Sequence, residues 1–260
     1  MMRKTVVVAF TLLTAIAAWA QQPAAPQVQY PRASQHASIT QTIGTTDMTI
    51  TYSRPGVKGR TIWGALVPYD KVWRTGANEA TKISFSDDVT INGQPLPKGT
   101  YSLHTIPGKD QWTIIFNKVA DQWGSFQYAQ AQDALRVTAK PHGDELNEWL
   151  TFSIPSVSAD SATVELKWAN LAVPFTVGTN TTQKTIAAAR TAVGTAAPND
   201  WKTPLRAASY AFDQGNLSDA QAWSDQAVKA NENIQTLWLT ARLLQKHAQL
   251  ADAVRTGEQA

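Results

Sequence analysis

Residues 54–79 carry the most unusual set of polar side chains in the chain. Arginine guanidinium groups donate two parallel hydrogen bonds and therefore match planar anions such as carboxylates and phosphates. The segment is also rich in Gly and Pro, which is typical of loops that hold binding groups on a rigid scaffold. These observations suggest an anion-binding pocket built from Arg54, Arg60, Arg74, Asn78 and Glu79.

A structural role is the alternative for the same residues. They can form a buried network of ion pairs and hydrogen bonds in which Arg74 and Glu79 fix the loop. Replacing each of these two by alanine separates the hypotheses, because a purely structural network changes stability and leaves ligand binding untouched.

His104 is a further candidate, in the strand-like stretch 101–105. Ser102 and His104 are two residues apart, so their side chains share a strand face, and a Ser–His nucleophile pair is geometrically conceivable. The sequence lacks a G-x-S-x-G elbow and an evident orienting acid. A histidine satisfied within the core or at the surface is the alternative.

No metal or cofactor is predicted. The four histidines form neither an H-x-H nor an H-x-x-x-H pair, and the chain contains no cysteine. There is no P-loop and no G-x-G-x-x-G fingerprint.

Tryptophans suggest a second kind of ligand. Trp112 and Trp168 alternate with aliphatic residues and are predicted to lie in the core. Trp63, Trp73 and Trp123 lie in Gly-containing segments and are candidates for an exposed platform that binds a glycan. Packing within the core is the alternative for these three as well.

The elements that must position these residues read as β structure over 36–178. Apolar and polar residues alternate around 48–52, 83–85, 112–116, 150–154 and 164–168, as in strands with one face on a core. Gly and Pro separate them, and Asn92-Gly93 is a tight-turn signal. We predict an antiparallel β-sandwich or barrel, with a short helix within 122–135.

The chain changes character after residue 178. Residues 179–200 read as a linker with a short helix, and 201–260 as an alanine-rich helical segment. Ala208, Ala220 and Leu217 recur 33 residues later, at a period near that of tetratricopeptide repeats. A plain helical hairpin is the alternative. Repeat helices suit protein contacts, so a protein partner is expected at this tail.

The N-terminus reads as an export signal. Residues 1–20 combine a basic start, a short apolar run and Ala18-Trp19-Ala20, which predicts cleavage between Ala20 and Gln21. Residues 21–35 then form a flexible leader. The product is expected to be soluble and periplasmic or secreted, without a membrane anchor. Cleavage lowers the net charge from +3 to +1, because Arg3 and Lys4 are lost, so nucleic-acid binding is not expected.

Three stretches carry a resemblance to a known family. They read YSRPGVKGRTIWGALVPYDKVWRTGANEAT at 52–81, LPKGTYSLHTIPG at 96–108 and WTIIFNKVADQWGSFQY at 112–128. The chain here resembles the bacterial domain of unknown function 2911 over about 35–178. The resemblance implies an exported β domain with a trailing tetratricopeptide-like segment, and it brings no established reaction, ligand or catalytic residue.

The leading prediction from the sequence is an exported, non-catalytic module that binds a small anionic ligand or a partner. A hydrolase that uses Arg74, Asn78, Glu79 and His104 is one alternative. A glycan-binding module is the other.

Overall fold

The computed structural model describes residues 30–260. The predicted signal peptide, 1–20, and residues 21–29 of the predicted leader lie outside the described residues. The β part contains ten strands: β1 Gln35–Ile43, β2 Thr46–Arg54, β3 Thr81–Phe85, β4 Val89–Ile91, β5 Gln94–Leu96, β6 Gly99–Ile106, β7 Trp112–Asn117, β8 Asp133–Ala139, β9 His142–Val157 and β10 Ser161–Gly178. Five helices follow: α1 Thr181–Gly194, α2 Lys202–Asp213, α3 Leu217–Ala230, α4 Ile234–Lys246 and α5 Leu250–Gln259.

The strands form two antiparallel sheets. One has six strands in the order β1-β2-β3-β6-β7-β8, and the other has four in the order β5-β4-β10-β9. Every neighbouring pair is antiparallel. The predicted mainly β fold with a helical C-terminal segment is therefore confirmed.

The core lies where the apolar faces of the two sheets meet. In β2 the residues Met48, Ile50 and Tyr52 are buried at a spacing of two, as the alternation predicted. β10 supplies Val164, Leu166 and Trp168 from the facing sheet, and all belong to the same buried cluster. Tyr52 also links the sheets, because its hydroxyl accepts a hydrogen bond from Phe152 N at 3.2 Å.

Turn chemistry accounts for the shortest connection. Asn92 and Gly93 join β4 to β5, and both have positive φ angles, 48° and 81°. That conformation matches the right-handed twist of a two-residue hairpin. The short helix expected within 122–135 is only a 3₁₀ turn, Gln130–Gln132, because the chain enters β8 at Asp133.

Two residues separate β10 from α1, the first helix. α1 has 14 residues and occupies much of the stretch expected to be a linker. Its buried Ile186 and Val193 join the apolar cluster of the following helices. Asn216 caps α3 by accepting the Asp219 N–H. Asn233 and Thr236 form a capping box at α4.

Polar contacts attach α1 to the β part. Asp160 accepts hydrogen bonds from the Thr182 backbone and hydroxyl at 3.2 and 3.0 Å. Lys184 Nζ lies 2.5 Å from Asp87 Oδ2, and the Lys184 ammonium lowers the pKa of that carboxyl. Among helices within 30–260, none combines the length and apolarity needed to cross a membrane.

Candidate functional site

The loop between β2 and β3 is fixed to the edge of β6 before β3 begins. Trp73 exchanges two backbone hydrogen bonds with Thr105, of 2.8 and 2.9 Å. Residues 75–80 then form a bulge, which is closed by a hydrogen bond from Thr81 N to Arg74 O at 3.1 Å. Thr75 and Asn78 have positive φ angles of 56° and 59° within the bulge. This bulge allows one loop to supply both core and surface groups.

A cleft lies beside the pairing of Trp73 with Thr105. Trp73 belongs to the core cluster and also forms part of the cleft lining, and the next residue, Arg74, lines the same cleft. His104 precedes Thr105 on β6, so the antiparallel pairing puts Arg74 at the position beside His104. Sheet register thus brings together two residues that the hydrolase hypothesis combined.

Residues 118–129, the covering segment, form another wall of the cleft. Asn117 holds both ends, since its Oδ1 accepts the Val119 N–H at 3.0 Å and its Nδ2 donates to Ala129 O at 3.1 Å. Gly124 N donates to Asn78 O at 3.1 Å, and this hydrogen bond holds the covering segment beside the bulge. Ser125 and the residue after it thereby reach the cleft.

The cleft has a volume of about 330 Å³. Its walls are mainly apolar, and two cationic side chains, Lys71 and Arg74, face it. Phe126 stands at the rim with 85 % of its surface exposed. The lining residues are Leu66, Val67, Pro68, Lys71, Val72, Trp73, Arg74, Ser125 and Phe126.

Arg74 is half-buried and unsatisfied. Its Nε is buried without a hydrogen-bond partner, and no ion pair within residues 30–260 involves its guanidinium. Burial lowers the pKa of Arg74 from its usual value, since the charged form loses hydration. The group nevertheless stays protonated near neutrality, as arginines in proteins do. The structural alternative, in which Arg74 and Glu79 fix the loop, is therefore not supported by the contacts of Arg74.

Behind the cleft wall lies His104, which is fully buried. Its Nδ1 is 3.4 Å from Ser125 Oγ, and its Nε2 is buried without a partner. Burial lowers the pKa of His104 to about 4, although the charge of Asp133 opposes the shift. The imidazole is therefore neutral at pH 7.

The serine beside His104 is not the one the sequence suggested. Ser102 shares a strand face with His104, but its hydroxyl donates to Val119 O at 2.8 Å and accepts from Gln122 Nε2 at 3.0 Å. Ser102 therefore fixes the covering segment, and Ser125 takes the place next to the imidazole. The sequence signal that could have indicated a turn near Ser125 is Gly124, which has a positive φ of 65° in the structure.

A polar network supports the covering segment from β8. Tyr128 donates to Asp133 Oδ2 at 2.7 Å, and Arg136 Nε donates to the same oxygen at 2.6 Å. The Tyr128 ring packs on His104 with centroids 5.2 Å apart. Sequence reasoning missed this network, because its members come from a turn and from a strand that the alternation did not reveal.

The other two predicted arginines serve the scaffold. Arg54 donates from Nε to Leu150 O at 2.9 Å and from Nη2 to Thr151 Oγ1 at 2.6 Å, which ties β2 to β9. Arg60 donates to the carbonyl oxygens of Val57 and Gly56 at 3.0 and 2.5 Å, within its own loop. Neither lines the cleft.

Asn78 and Glu79 lie in the bulge itself. Asn78 Nδ2 donates to Ser34 O at 3.1 Å and to Ser53 Oγ at 3.3 Å, so its side chain fixes the bulge. Glu79 pairs through its backbone with Trp123. Neither residue lines the cleft.

The tryptophan platform is not assembled. Trp63 and Trp73 pack with Trp112 and Trp168 in one aromatic cluster, with Trp73 stacked on Trp168 at 5.8 Å and only 9 % exposed. Their ring faces are used within the core, which corrects the expectation that they are exposed. Trp123 is exposed. A single ring gives little support to a glycan platform.

No metal centre is apparent in the described part of the chain, 30–260. It holds no group of three or more His, Cys, Asp or Glu side chains placed to share an ion. The cleft itself contains no carboxylate. Its chemistry is that of cation and hydroxyl donors among apolar side chains.

Comparison with known proteins identifies the β part. The family model described as "Protein of unknown function (DUF2911)" matches residues 34–177, which is more than half of the chain. That match ends before the helices, and the tetratricopeptide-like interpretation of the tail is not confirmed. No curated protein and no solved structure matches the chain. The chain belongs to the DUF2911 family of proteins of unknown function.

Proposed function

We propose that the β domain is a non-catalytic binding module whose cleft takes a small organic anion with an apolar body. The observation that carries the proposal is Arg74, a cation whose buried Nε has no protein partner and which lines the cleft. A buried donor left unsatisfied costs about 1–3 kcal/mol. An incoming carboxylate or phosphate supplies the missing acceptor.

Electrostatics favour an anion over a neutral ligand. Lys71 and Arg74 are the charged residues lining the cleft, and neither forms an ion pair among residues 30–260. Charge-assisted hydrogen bonds contribute about 1.5–3 kcal/mol, roughly twice the value of neutral ones. The anionic group is therefore expected at Arg74, with Lys71 adding a longer-range attraction.

The walls define the rest of the ligand. Leu66, Val72 and Phe126 offer apolar surface around the arginine, and Ser125 offers a hydroxyl. A cleft of about 330 Å³ lies at the small end of the usual range for ligand sites. An aromatic or branched aliphatic carboxylate, or a phosphate monoester of similar size, fits this combination.

A thermal-shift series tests the proposal. Benzoate and phenyl phosphate are the anionic probes, benzamide is the neutral analogue and acetate lacks the apolar body. We expect the two aromatic anions to raise the melting temperature, because ligands stabilise the folded state that binds them. Arg74→Gln should abolish the shift, whereas Arg206→Gln, at an exposed helical position, should preserve it. Equal shifts in both variants, or none in the wild type, would reject the proposal.

A hydrolase is the second candidate, because Ser125 lines the cleft beside His104 Nδ1. Two features weaken it. A histidine with a pKa of about 4 is a poor base at pH 7, and no acid orients its Nε2. A fluorophosphonate probe separates the candidates. Labelling of Ser125 that disappears in His104→Gln would favour the enzyme, and we expect no labelling.

We also propose that the domain works outside the cytoplasm. The support is the sequence of residues 1–20, with its basic start, apolar run and small residues at 18 and 20. Expression in a bacterium with a periplasm, followed by fractionation and intact-mass measurement, tests it. A periplasmic product that begins at Gln21 is expected, and a cytoplasmic product of full mass would contradict it.

A further inference from the structure

The helical part contains two hairpins related by a shift of 33 residues. α2 and α3 form the first, and α4 and α5 form the second. Leu217, at the start of α3, corresponds to Leu250 at the start of α5, and Ala220 corresponds to Ala253. The equivalent positions are buried to different degrees. Ala220 is fully buried and Leu217 half-buried, whereas Leu250 is 62 % exposed.

The first hairpin is covered by α4. Ser224 Oγ on α3 lies 3.0 Å from Thr240 Oγ1 on α4. The Arg242 guanidinium of α4 lies over the Phe212 ring of α2 at 4.4 Å and 3.6 Å from Asp213. The residue 33 positions after Ser224 is Gly257, which is exposed. The second hairpin thus presents a surface equivalent to the one that α4 covers on the first hairpin. No helix within the described residues covers this second surface.

This uncovered surface is a groove of about 420 Å³ between α4 and α5. Small residues and large, mostly exposed apolar residues form most of its lining, and Arg242 and Gln245 complete it. The small ones are Ala241, Ala253 and Gly257, and the large ones are Trp238, Leu250 and Val254. A contiguous exposed apolar surface of this kind marks an interaction site in a soluble protein.

We propose that α5 of a second copy of this chain docks in the groove and that the contact is reciprocal. A two-fold interface requires one patch to contain both protruding groups and the space that receives them. The groove meets this condition, because Leu250 and Val254 project from α5 while Ala241 and Gly257 leave room beside it. In this contact a helix of the second copy packs on the second hairpin, as α4 packs on the first hairpin.

Charge supports a second copy as the occupant. α4 carries Arg242 and Lys246 and no acidic residue. α5 carries the acidic Asp252 and Glu258 and one base, Arg255, which already pairs with Asp252 at 2.6 Å. Arg242 is already paired with Asp213, whereas Lys246 on α4 and Glu258 on α5 form no ion pair within the described residues. In a two-fold contact α5 of one copy crosses α4 of the other, so these two opposite charges meet on both sides of the interface.

Light scattering coupled to size exclusion tests the proposal on the purified chain. At about 100 µM protein, enough to populate even a weak dimer, we expect the mass of a dimer. Val254→Asp should give a monomer with an unchanged far-UV circular dichroism spectrum, because Val254 is exposed. Ala222→Asp, on the exposed side of α3, is the matched control and should remain dimeric.

Cross-linking gives a second measurement that does not depend on a charge in the groove. The chain has no cysteine, so Val254→Cys introduces a single thiol. A bismaleimide should link two copies of Val254→Cys and leave Ala222→Cys largely monomeric. A monomeric wild type, or a dimer that survives Val254→Asp, would overturn the proposal. A monomer that binds an amphipathic helical peptide in this groove would assign the surface to another protein instead.

Discussion

Arg54 and Arg74 stand twenty residues apart at the two ends of one loop and have opposite environments. Arg54 uses Nε and Nη2 to hold β9 through Leu150 O and Thr151 Oγ1. Arg74 is also partly buried, but its Nε has no acceptor and its side chain lines a cleft. A satisfied arginine is part of the scaffold, whereas an unsatisfied one beside open space is available to a ligand. We therefore assign Arg54 to the scaffold and propose Arg74 as the ligand-binding arginine of the same segment.

The largest expected effect concerns the histidine behind the cleft. The folded-state pKa of His104, about 4, lies below the unfolded value near 6.5. The unfolded chain therefore binds the proton more tightly, and stability is lost as pH falls through that window. Between pH 7 and pH 4.5, urea unfolding should show the wild type losing about 2–3 kcal/mol more than His104→Gln. Equal losses would mean that His104 is not held neutral by burial.

Removing the scaffold arginine should cost slightly less. Arg54→Ala leaves Leu150 O and Thr151 Oγ1 without their donor at a partly buried position. We expect the free energy of unfolding to fall by about 2 kcal/mol, as is usual for hydrogen bonds to charged groups. Urea titration at pH 7 measures it. An unchanged unfolding midpoint would contradict the assignment of Arg54 to the scaffold.

Removing the cleft arginine should have little effect on the fold. Arg74→Met keeps much of the apolar stem and deletes a buried donor that has no partner. We expect stability within about 1 kcal/mol of the wild type, or slightly higher, because an unsatisfied group is lost. The same urea titration measures it. A loss as large as that of Arg54→Ala would remove the distinction between the two residues.

The smallest effect on stability is expected at the rim. Phe126 is mostly exposed, so Phe126→Ala should change the free energy of unfolding by less than about 0.5 kcal/mol. It should nevertheless weaken the binding of an aromatic anion, because one apolar wall is lost. Calorimetric titration of the variant measures this weakening. Unchanged affinity would place the apolar part of the ligand elsewhere in the cleft.

Local patterns predicted the scaffold well. The alternation at Met48, Ile50 and Tyr52 and the Asn92-Gly93 turn each depend on residues close in sequence. Such features follow from backbone periodicity and turn chemistry. The antiparallel β architecture and the helical C-terminal part could therefore be predicted.

The candidate site depends on contacts that periodicity does not encode. Arg74 lies beside His104 because Trp73 pairs with Thr105. Ser125 lies beside His104 because Asn117 fixes both ends of the covering segment. The choice of Ser125 over Ser102 depends on Gln122, which is twenty residues away from Ser102 and occupies its hydroxyl. Whether an arginine is satisfied is likewise a property of distant partners.

Calorimetric titration of the wild type and Arg74→Gln with benzoate, repeated with phenyl phosphate, measures whether Arg74 anchors an anionic ligand. We expect saturable binding of at least one aromatic anion to the wild type and a loss of affinity of about 10- to 100-fold in Arg74→Gln, the equivalent of one charge-assisted contact. Benzamide should not bind measurably. The same affinity in both proteins would contradict the claim that Arg74 is the anchor of a ligand.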